Sequence, residues 1–494
     1  MNDKNYSPEN PSDKPANNSL NDPEQDLATR FPTAYTILFL LIILVAALTW
    51  IIPAGQYDRA MNEEVGREVA VPGTYQTVDP NPQGFVDIML APTAGFYDPD
   101  SYVANAIDVA LFVIFLGGFL GVMNATGAID TGIRSAMRHL EGHEIWMIPI
   151  LMTLFAIGGT TYGMAEETLA FYAILIPVMM AAGYDAITGV AIILIGAGVG
   201  VLGSTINPFA TVIAANAADI PFTDGIVVRF ILLIGGLLIC AAYVMRYAMR
   251  VKADPSRSVV SKQWDAHRRL FLTRHDSDVE DSILNRTQII ALLIFAATFV
   301  VMIWGVSSQG WWMARMGALF FGSAIVIGII ARLGEKTLTG SFVDGARDLL
   351  GVALVVGLAR GIVVIMDQGM IADTILHSAE TSLGGLPELA FINLMFWIEV
   401  GMSFFVPSSS GLAVLSMPIL APLADFANVG RDLVVTAFQS ANGLVNLINP
   451  TFAVVVGGLA IGRVSYDRWL AFIWPLLLIL TLFITLVISA AALF

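Results

Sequence analysis

Long apolar stretches separated by short polar ones set the plan of this chain. Ala34 to Pro53, Val103 to Asn124, Ile226 to Arg246 and Trp469 to Phe494 are apolar runs that approach or exceed the ~20 residues a helix needs to cross a bilayer. Between such runs lie three polar segments. Residues 1–30 are rich in Asn, Pro, Ser and Asp, the composition of a disordered tail. Residues 54–102 carry Pro72-Gly73, Asp79-Pro80, Asn81-Pro82 and Asp98-Pro99, which predict turns outside the lipid. Residues 249–286 mix charges of both signs and form a hydrophilic linker. The first apolar run follows a polar, acidic tail and is longer than the ~7–15 residues of a signal-peptide core, so it is expected to stay attached as a signal anchor.

The two sides of the linker resemble each other. Gly127-Ala128-Ile129-Asp130 matches Met370-Ile371-Ala372-Asp373, Ile176-Pro177 matches Met417-Pro418, and Asn207-Pro208-Phe209 matches Asn449-Pro450-Thr451, at offsets of 241 to 243 residues. Two copies of one unit are therefore expected, at 103–248 and 345–494. The remaining parts are a tail (1–30), the anchor span with an outer segment (31–102), the linker (249–286) and two scaffold spans (287–344). Most of the 25 lysines and arginines fall on one side if the N-terminus is cytoplasmic, as the positive-inside rule requires. That layout has nine full spans and two hairpins that enter and return on the same side, and it inverts the second copy relative to the first. The expected fold is an all-α polytopic membrane protein with an inverted structural repeat, re-entrant hairpins and two mid-membrane broken helices, a recurring plan of secondary transporters.

Composition agrees. The 494 residues are 56% hydrophobic and 13% charged, against roughly 25% charged in soluble domains. The net charge of −15 resides mainly in the polar segments, so it signals neither nucleic acid nor substrate. Cys240 is the one cysteine, which excludes an intramolecular disulfide and a cysteine metal site.

Candidate chemistry sits where helices break. Ile145 to Ile157 is too short to span before Gly158-Gly159-Thr160-Thr161-Tyr162-Gly163 interrupts it, and the second copy breaks at Pro407-Ser408-Ser409-Ser410-Gly411. Breaks at membrane depth must line a cavity or be buried in protein. Gly203-Ser204-Thr205-Ile206-Asn207-Pro208 interrupts another apolar run, and Asn446-Leu447-Ile448-Asn449-Pro450-Thr451 repeats it. Asparagine is a favoured N-cap and proline suits the first helical position, so each Asn-Pro reads as a helix restarting. Free carbonyls before it suit a cation and free amides after it suit an anion. Ser204, Thr205, Asn446 and Glu399 are the candidates for ion coupling, and Thr451 joins the substrate candidates. Glu166 and Glu167 follow the first tip, where they suit a cationic substrate group or protons, or serve as helix-dipole partners. Arg360 lies within a span and is a candidate partner of Glu399 or of substrate. Asp130 and Asp373 lie near helix ends and read as structural.

Other motifs carry less. Gly198-Val199-Gly200-Val201-Leu202-Gly203 fits a dinucleotide glycine pattern, but no strand precedes it, and its small residues are expected to let helices approach closely. There is no Walker lysine, zincin helix or serine elbow, and the five scattered histidines suggest no metal site. No nucleophile–base set for an intramembrane enzyme is visible, so no enzymatic activity and no cofactor are expected.

The stretches Phe31-Pro32-Thr33-Ala34-Tyr35, Thr160-Thr161-Tyr162-Gly163-Met164-Ala165-Glu166-Glu167-Thr168, Gly203-Ser204-Thr205-Ile206-Asn207-Pro208-Phe209 and Pro407-Ser408-Ser409-Ser410-Gly411 resemble the YfcC family. That family stands with the anaerobic four-carbon dicarboxylate carriers and the arginine–ornithine antiporters of the ion transporter superfamily. The resemblance covers residues 30–494. It implies a scaffold and a moving unit per protomer, often in a homodimer, with substrate and sometimes sodium held between tips and broken helices. By this likeness Thr160, Thr161 and Asn207 form one half-site, and Ser408, Ser409, Ser410 and Asn449 the other.

The expected function is secondary active transport of small carboxylated metabolites across the bacterial inner membrane by alternating access. A basic amino acid antiporter of the arginine/ornithine type leads, because Glu166 and Glu167 place negative charge beside a tip. The alternative is a four-carbon dicarboxylate carrier coupled to sodium or protons. A non-transporting membrane sensor or a channel lies outside the class.

Overall fold

A computed structural model describes residues 34–62, 67–129, 131–132, 135, 144–272, 284–309 and 311–493. The expected tail over 1–30, Asp130 and the basic residues Arg134 and Arg138 lie outside the described residues. Helix α1 (Ala34–Leu48) leads into a small polar cap of two antiparallel ribbons: β1 (Gly55–Gln56) pairs with β4 (Gln76–Thr77), and β2 (Arg59–Asn62) with β3 (Arg67–Ala70). Then come α2 (Phe85–Ala94), α3 (Ile107–Ala125), α4 (Met147–Tyr162), α5 (Leu169–Ala181), α6 (Ala186–Leu202), α7 (Ile213–Ala217) and α8 (Ile226–Ala253). The linker carries α9 (Trp264–Leu272), followed by α10 (Arg286–Gln309) and α11 (Met313–Ile330). The second half comprises α12 (Glu335–Gln368), α13 (Ala372–Leu383), α14 (Glu388–Phe405), α15 (Ser409–Phe426), α16 (Arg431–Val445), α17 (Ala453–Ile461) and α18 (Tyr466–Leu493).

Among the described residues eight helical stretches are long and apolar enough to cross a membrane: Ile107–Ala125, Glu144–Thr161, Ile226–Ala253, Met313–Ile330, Glu335–Gln368, Glu388–Phe405, Ser409–Phe426 and Tyr466–Leu493. The chain is an all-α polytopic membrane protein. Arms expected to be short reach 18 residues, while a broken span divides into pieces such as Ala186–Leu202 and Pro208–Ala217 that fall below that length.

Small residues seat the central helices. A side chain on Gly345 of α12 would put its first carbon 2.2 Å from the Gly117 carbonyl of α3, so these two helices meet backbone to backbone. On the other face of α3, Phe119 packs at 5.3 Å from Phe295 of α10 and 5.1 Å from Phe320 of α11. Helix α6 is apolar nearly all round and almost wholly buried, as a helix enclosed by others must be.

The break expected over Gly158 to Gly163 falls at the last residue of that stretch, and its first two glycines form a helix contact. Helix α4 runs unbroken through both glycines to Tyr162, because Gly159 and Gly200 let α4 and α6 touch. A carbon added at Gly159 would lie 2.4 Å from the Ala197 carbonyl, and one at Gly200 would lie 2.3 Å from that of Ala156. The helix ends at Gly163, whose φ of +75° favours glycine. A short 3-10 turn, Glu166–Thr168, then opens into α5.

Two polar pieces clasp the bundle. The cap grips α13: the Tyr57 amide donates to Asp373 (3.0 Å), Arg59 pairs with Asp373 (3.0 Å), and Tyr75 stacks on His377 at 4.0 Å. Asp373 is therefore a structural anchor. At the linker, Tyr247 and Ser258 donate hydroxyl protons to Asp185 (2.5 and 2.6 Å), and the ring N–H of buried His267 donates to the Arg463 carbonyl (2.9 Å).

Candidate substrate site between two hairpin tips

The first tip is sewn to the first helix break. The Thr205 amide donates to the Thr160 hydroxyl oxygen (2.9 Å), and the Ile206 amide to the Thr160 carbonyl (3.2 Å). Asn207 donates from Nδ2 to the Gly159 carbonyl (3.1 Å), while its Oδ1 accepts from the Phe209 and Ala210 amides (2.8 and 3.2 Å). Asn207 is thus the N-cap of a helical turn that opens on Pro208, as its sequence predicts. Gly163 lies directly on this cap: an added carbon would come within 2.7 Å of Asn207 Oδ1.

A second set of bonds crosses between the halves. Gln439 of α16 donates to the Ser204 carbonyl (2.8 Å) and accepts from the Thr211 hydroxyl (2.9 Å). Arg229, in the first turn of α8, is fully buried. Its guanidinium donates to the Thr205 carbonyl (3.4 Å) and to the Asp224 carbonyl. It gives the buried break carbonyl of Thr205 a partner.

The second tip follows the same logic with different residues. Ser408 caps α15 by accepting the Gly411 amide (3.2 Å), and Ser409 donates to Asn442 Oδ1 (2.6 Å). Asn449 donates to the carbonyls of Ser403 (3.0 Å) and Phe404 (3.1 Å), and its Oδ1 accepts from the Thr451 amide (3.0 Å). Here the helix does not restart at Asn-Pro: α17 begins at Ala453, because Asn449 is occupied in closing a turn.

Both tips and both breaks border one cavity of about 290 Å³, near the lower end of the ~300–1,000 Å³ typical of ligand pockets. Of the candidates, Glu166, Glu167, Asn207, Ser408, Ser409, Ser410, Asn446 and Thr451 line it. Thr160, Thr161, Ser204, Thr205, Asn449 and Glu399 are not among its lining residues. Thr160, Thr205 and Asn449 are buried in the bonds just described. Thr161 donates its hydroxyl to its own helix at Ile157 (2.6 Å), and Ser204 pairs with Thr211.

Charge around the cavity is asymmetric. Asp108, Glu166 and Glu167 contribute carboxyls and Arg360 one guanidinium. Glu167 is partly committed, since Oε2 accepts the Ala165 amide (3.0 Å), and Asp108 accepts the Val109 amide (2.9 Å). Asn446 Oδ1 is buried with no hydrogen-bond partner among the described residues. Phe209 and Trp312, with rings 5.9 Å apart, add an aromatic wall. Asp108, Phe209 and Trp312 were not among the sequence candidates. Asp108 left a signal, being the one acid in the run Val103 to Asn124. Trp312 left none. The pairing of Arg360 with Glu399 does not occur: Arg360 borders the cavity, and the Glu399 carboxyl is buried with no hydrogen-bond partner among the described residues.

The chain matches the family described as DcuC, C4-dicarboxylate anaerobic carrier, over residues 31–493. A protein of Haemophilus influenzae described only as uncharacterized is 37% identical over 487 residues, covering 90% of this chain and 94% of the relative. A protein of Escherichia coli K12 described as "Putative basic amino acid antiporter YfcC" is 33% identical over 473 residues, covering 89% and 92%. Among solved structures, MtrF of Neisseria gonorrhoeae, described with a class of antimetabolite efflux pumps, is similar at 15% identity and a TM-score of 0.40, over 94% of this chain and 96% of that one. With the family matched across nearly all of its length, this chain belongs to the DcuC family of membrane transporters, the YfcC protein among its relatives.

Proposed function

We propose that the protein is an antiporter of basic amino acids that works by alternating access around this cavity. The observation that carries the reading is the charge asymmetry: three carboxyls and one guanidinium border the same space. A cationic side chain is drawn toward Asp108 and Glu166, while the substrate carboxylate finds Arg360 and the serine hydroxyls that open α15. A dianion would meet more negative charge than positive, and like-charge juxtaposition in a desolvated site is costly. The relative described as a basic amino acid antiporter supports this reading.

The inverted-repeat plan belongs to the same proposal. Helices α4, α5 and α6 start at 147, 169 and 186, and α14, α15 and α16 start at 388, 409 and 431, close to the offset of the sequence landmarks. The first hairpin is anchored at its base where Glu144 pairs with Lys252 (3.3 Å), beside the linker. The second is closed at its base where Asn428 donates to Glu388 (2.9 Å). Tips of both reach one cavity, as hairpins entering from opposite faces would.

The test is counterflow in proteoliposomes loaded with arginine or ornithine. Exchange of labelled arginine is expected, and Glu166→Gln or Asp108→Asn should lower it about ten-fold or more, the effect of removing one charge partner worth ~1.4 kcal/mol or above. Full arginine exchange in both variants would overturn the assignment of these acids. A four-carbon dicarboxylate reading is favoured by the family description, and exchange of a dicarboxylate without arginine would replace the first reading with it.

A further inference from the structure

Glu399 is the one carboxyl among the described residues that is fully buried with neither oxygen hydrogen-bonded. It sits in the middle of α14, away from the cavity lining. An ionised carboxylate enclosed in this way carries its full desolvation cost. The neighbouring hydroxyl belongs to Ser416 of α15, and it stands in hydrogen-bond geometry to donate to the Leu412 carbonyl (2.9 Å). In that orientation Ser416 offers Glu399 only lone pairs. With that bond made, a carboxylate gains nothing from Ser416, whereas a carboxylic acid turned toward Ser416 can donate its proton to it.

No charged side chain stands ready to compensate. Helix α14 packs against α13, α15, α16 and α18. The charged or titratable groups of these helices lie at their ends or on α13: Asp373, His377 and Glu380 on α13, Asp425 closing α15, Arg431 and Asp432 opening α16, and Tyr466, Asp467 and Arg468 opening α18. Glu388 opens α14 itself.

One turn after Glu399, and on the same face, Ser403 accepts the Asn449 amide at its carbonyl (3.0 Å) and the Asn442 amide at its hydroxyl (3.4 Å). The buried acid is therefore one helical turn from the bonds that join the second tip to the second break. From this geometry we propose that Glu399 is the proton-binding site of the transport cycle, neutral in the conformation described here and emptied when α14 and α15 shift against α16. The site rests on the transporter reading but not on the identity of the substrate.

Two measurements on the purified, full-length protein test it. The first is the infrared C=O band of a protonated carboxylic acid at neutral pH. That band is expected in the wild type, absent in Glu399→Gln, and shifted to higher frequency in Ser416→Ala, which removes the acceptor. Thermal unfolding checks that both variants fold. Identical bands in wild type and Glu399→Gln overturn the proposal whatever the substrate is. The second is uptake in proteoliposomes under an imposed pH gradient. Wild-type uptake should respond to the gradient and Glu399→Gln should lose that response; a variant that follows the gradient like the wild type overturns the coupling role. Absence of arginine uptake in the wild type, with the Glu399 band present, counts against the basic amino acid reading and supports the proton site.

Discussion

Thr160 and Thr161 are neighbours with the same side chain and opposite fates. The Thr160 hydroxyl satisfies the buried Thr205 amide, while the Thr161 hydroxyl only turns back on Ile157. Thr160→Val should therefore strand a buried N–H, at a cost of ~1–3 kcal/mol. Thr161→Val should stay within ~0.5 kcal/mol. Thermal unfolding of the purified variants reads the difference, and equal melting temperatures would remove Thr160 from its bracing role. The pair also marks the limit of what residue types reveal. Hydroxyls, acids and Asn-Pro pairs at breaks were visible in the chain, and eight of them do line the cavity. Which hydroxyl faces the space and which faces a neighbouring amide depends on helix rotation. That is set by contacts such as Gly159 on Ala197, which the string does not display. Arg229 shows the same limit: nothing in the string ties an arginine near a helix start to the break carbonyl it serves.

At the scale of elements, the breaks were legible to within a few residues. Within the break expected over Gly158 to Gly163, glycine's poor helix propensity is overridden at the first two residues by packing against α6, and the turn falls at Gly163. The linker offers an element-level test. Burial holds the His267 imidazole below its ordinary value of 6.5, although its bond to the Arg463 carbonyl opposes this. The undocked linker takes up the proton first, so docking should be fully present above pH 6.5 and weaken as pH falls below it. Hydrogen exchange of residues 254–272 measured across that range is expected to rise on acidification. Protection that is unchanged below pH 6, or that a His267→Gln variant leaves equally acid-sensitive, would remove His267 from that role.

For the whole molecule, the proposed sidedness places α13 on the outer face and the end of α8 on the cytoplasmic face. Cys240 is the one native cysteine and is buried, so Cys240→Ala provides a blank background. In it, Ser382→Cys should react with a membrane-impermeant maleimide in intact cells, and Ala253→Cys only after permeabilisation. The reverse pattern would invert the layout. A mechanical consequence follows from Gln439, which fastens the Ser204 and Thr211 side of one interrupted helix to α16 of the other half. Under the proposed alternating access, these bonds would carry the two interrupted helices together against the α3–α12 seam. A rigid slab sliding within lipid changes how its apolar belt fits the hydrocarbon slab around it, at fractions of a kcal/mol per Å of misfit. Turnover should accordingly be tuned by acyl-chain length, making bilayer thickness a control on this protein's speed that no residue in the cavity could supply.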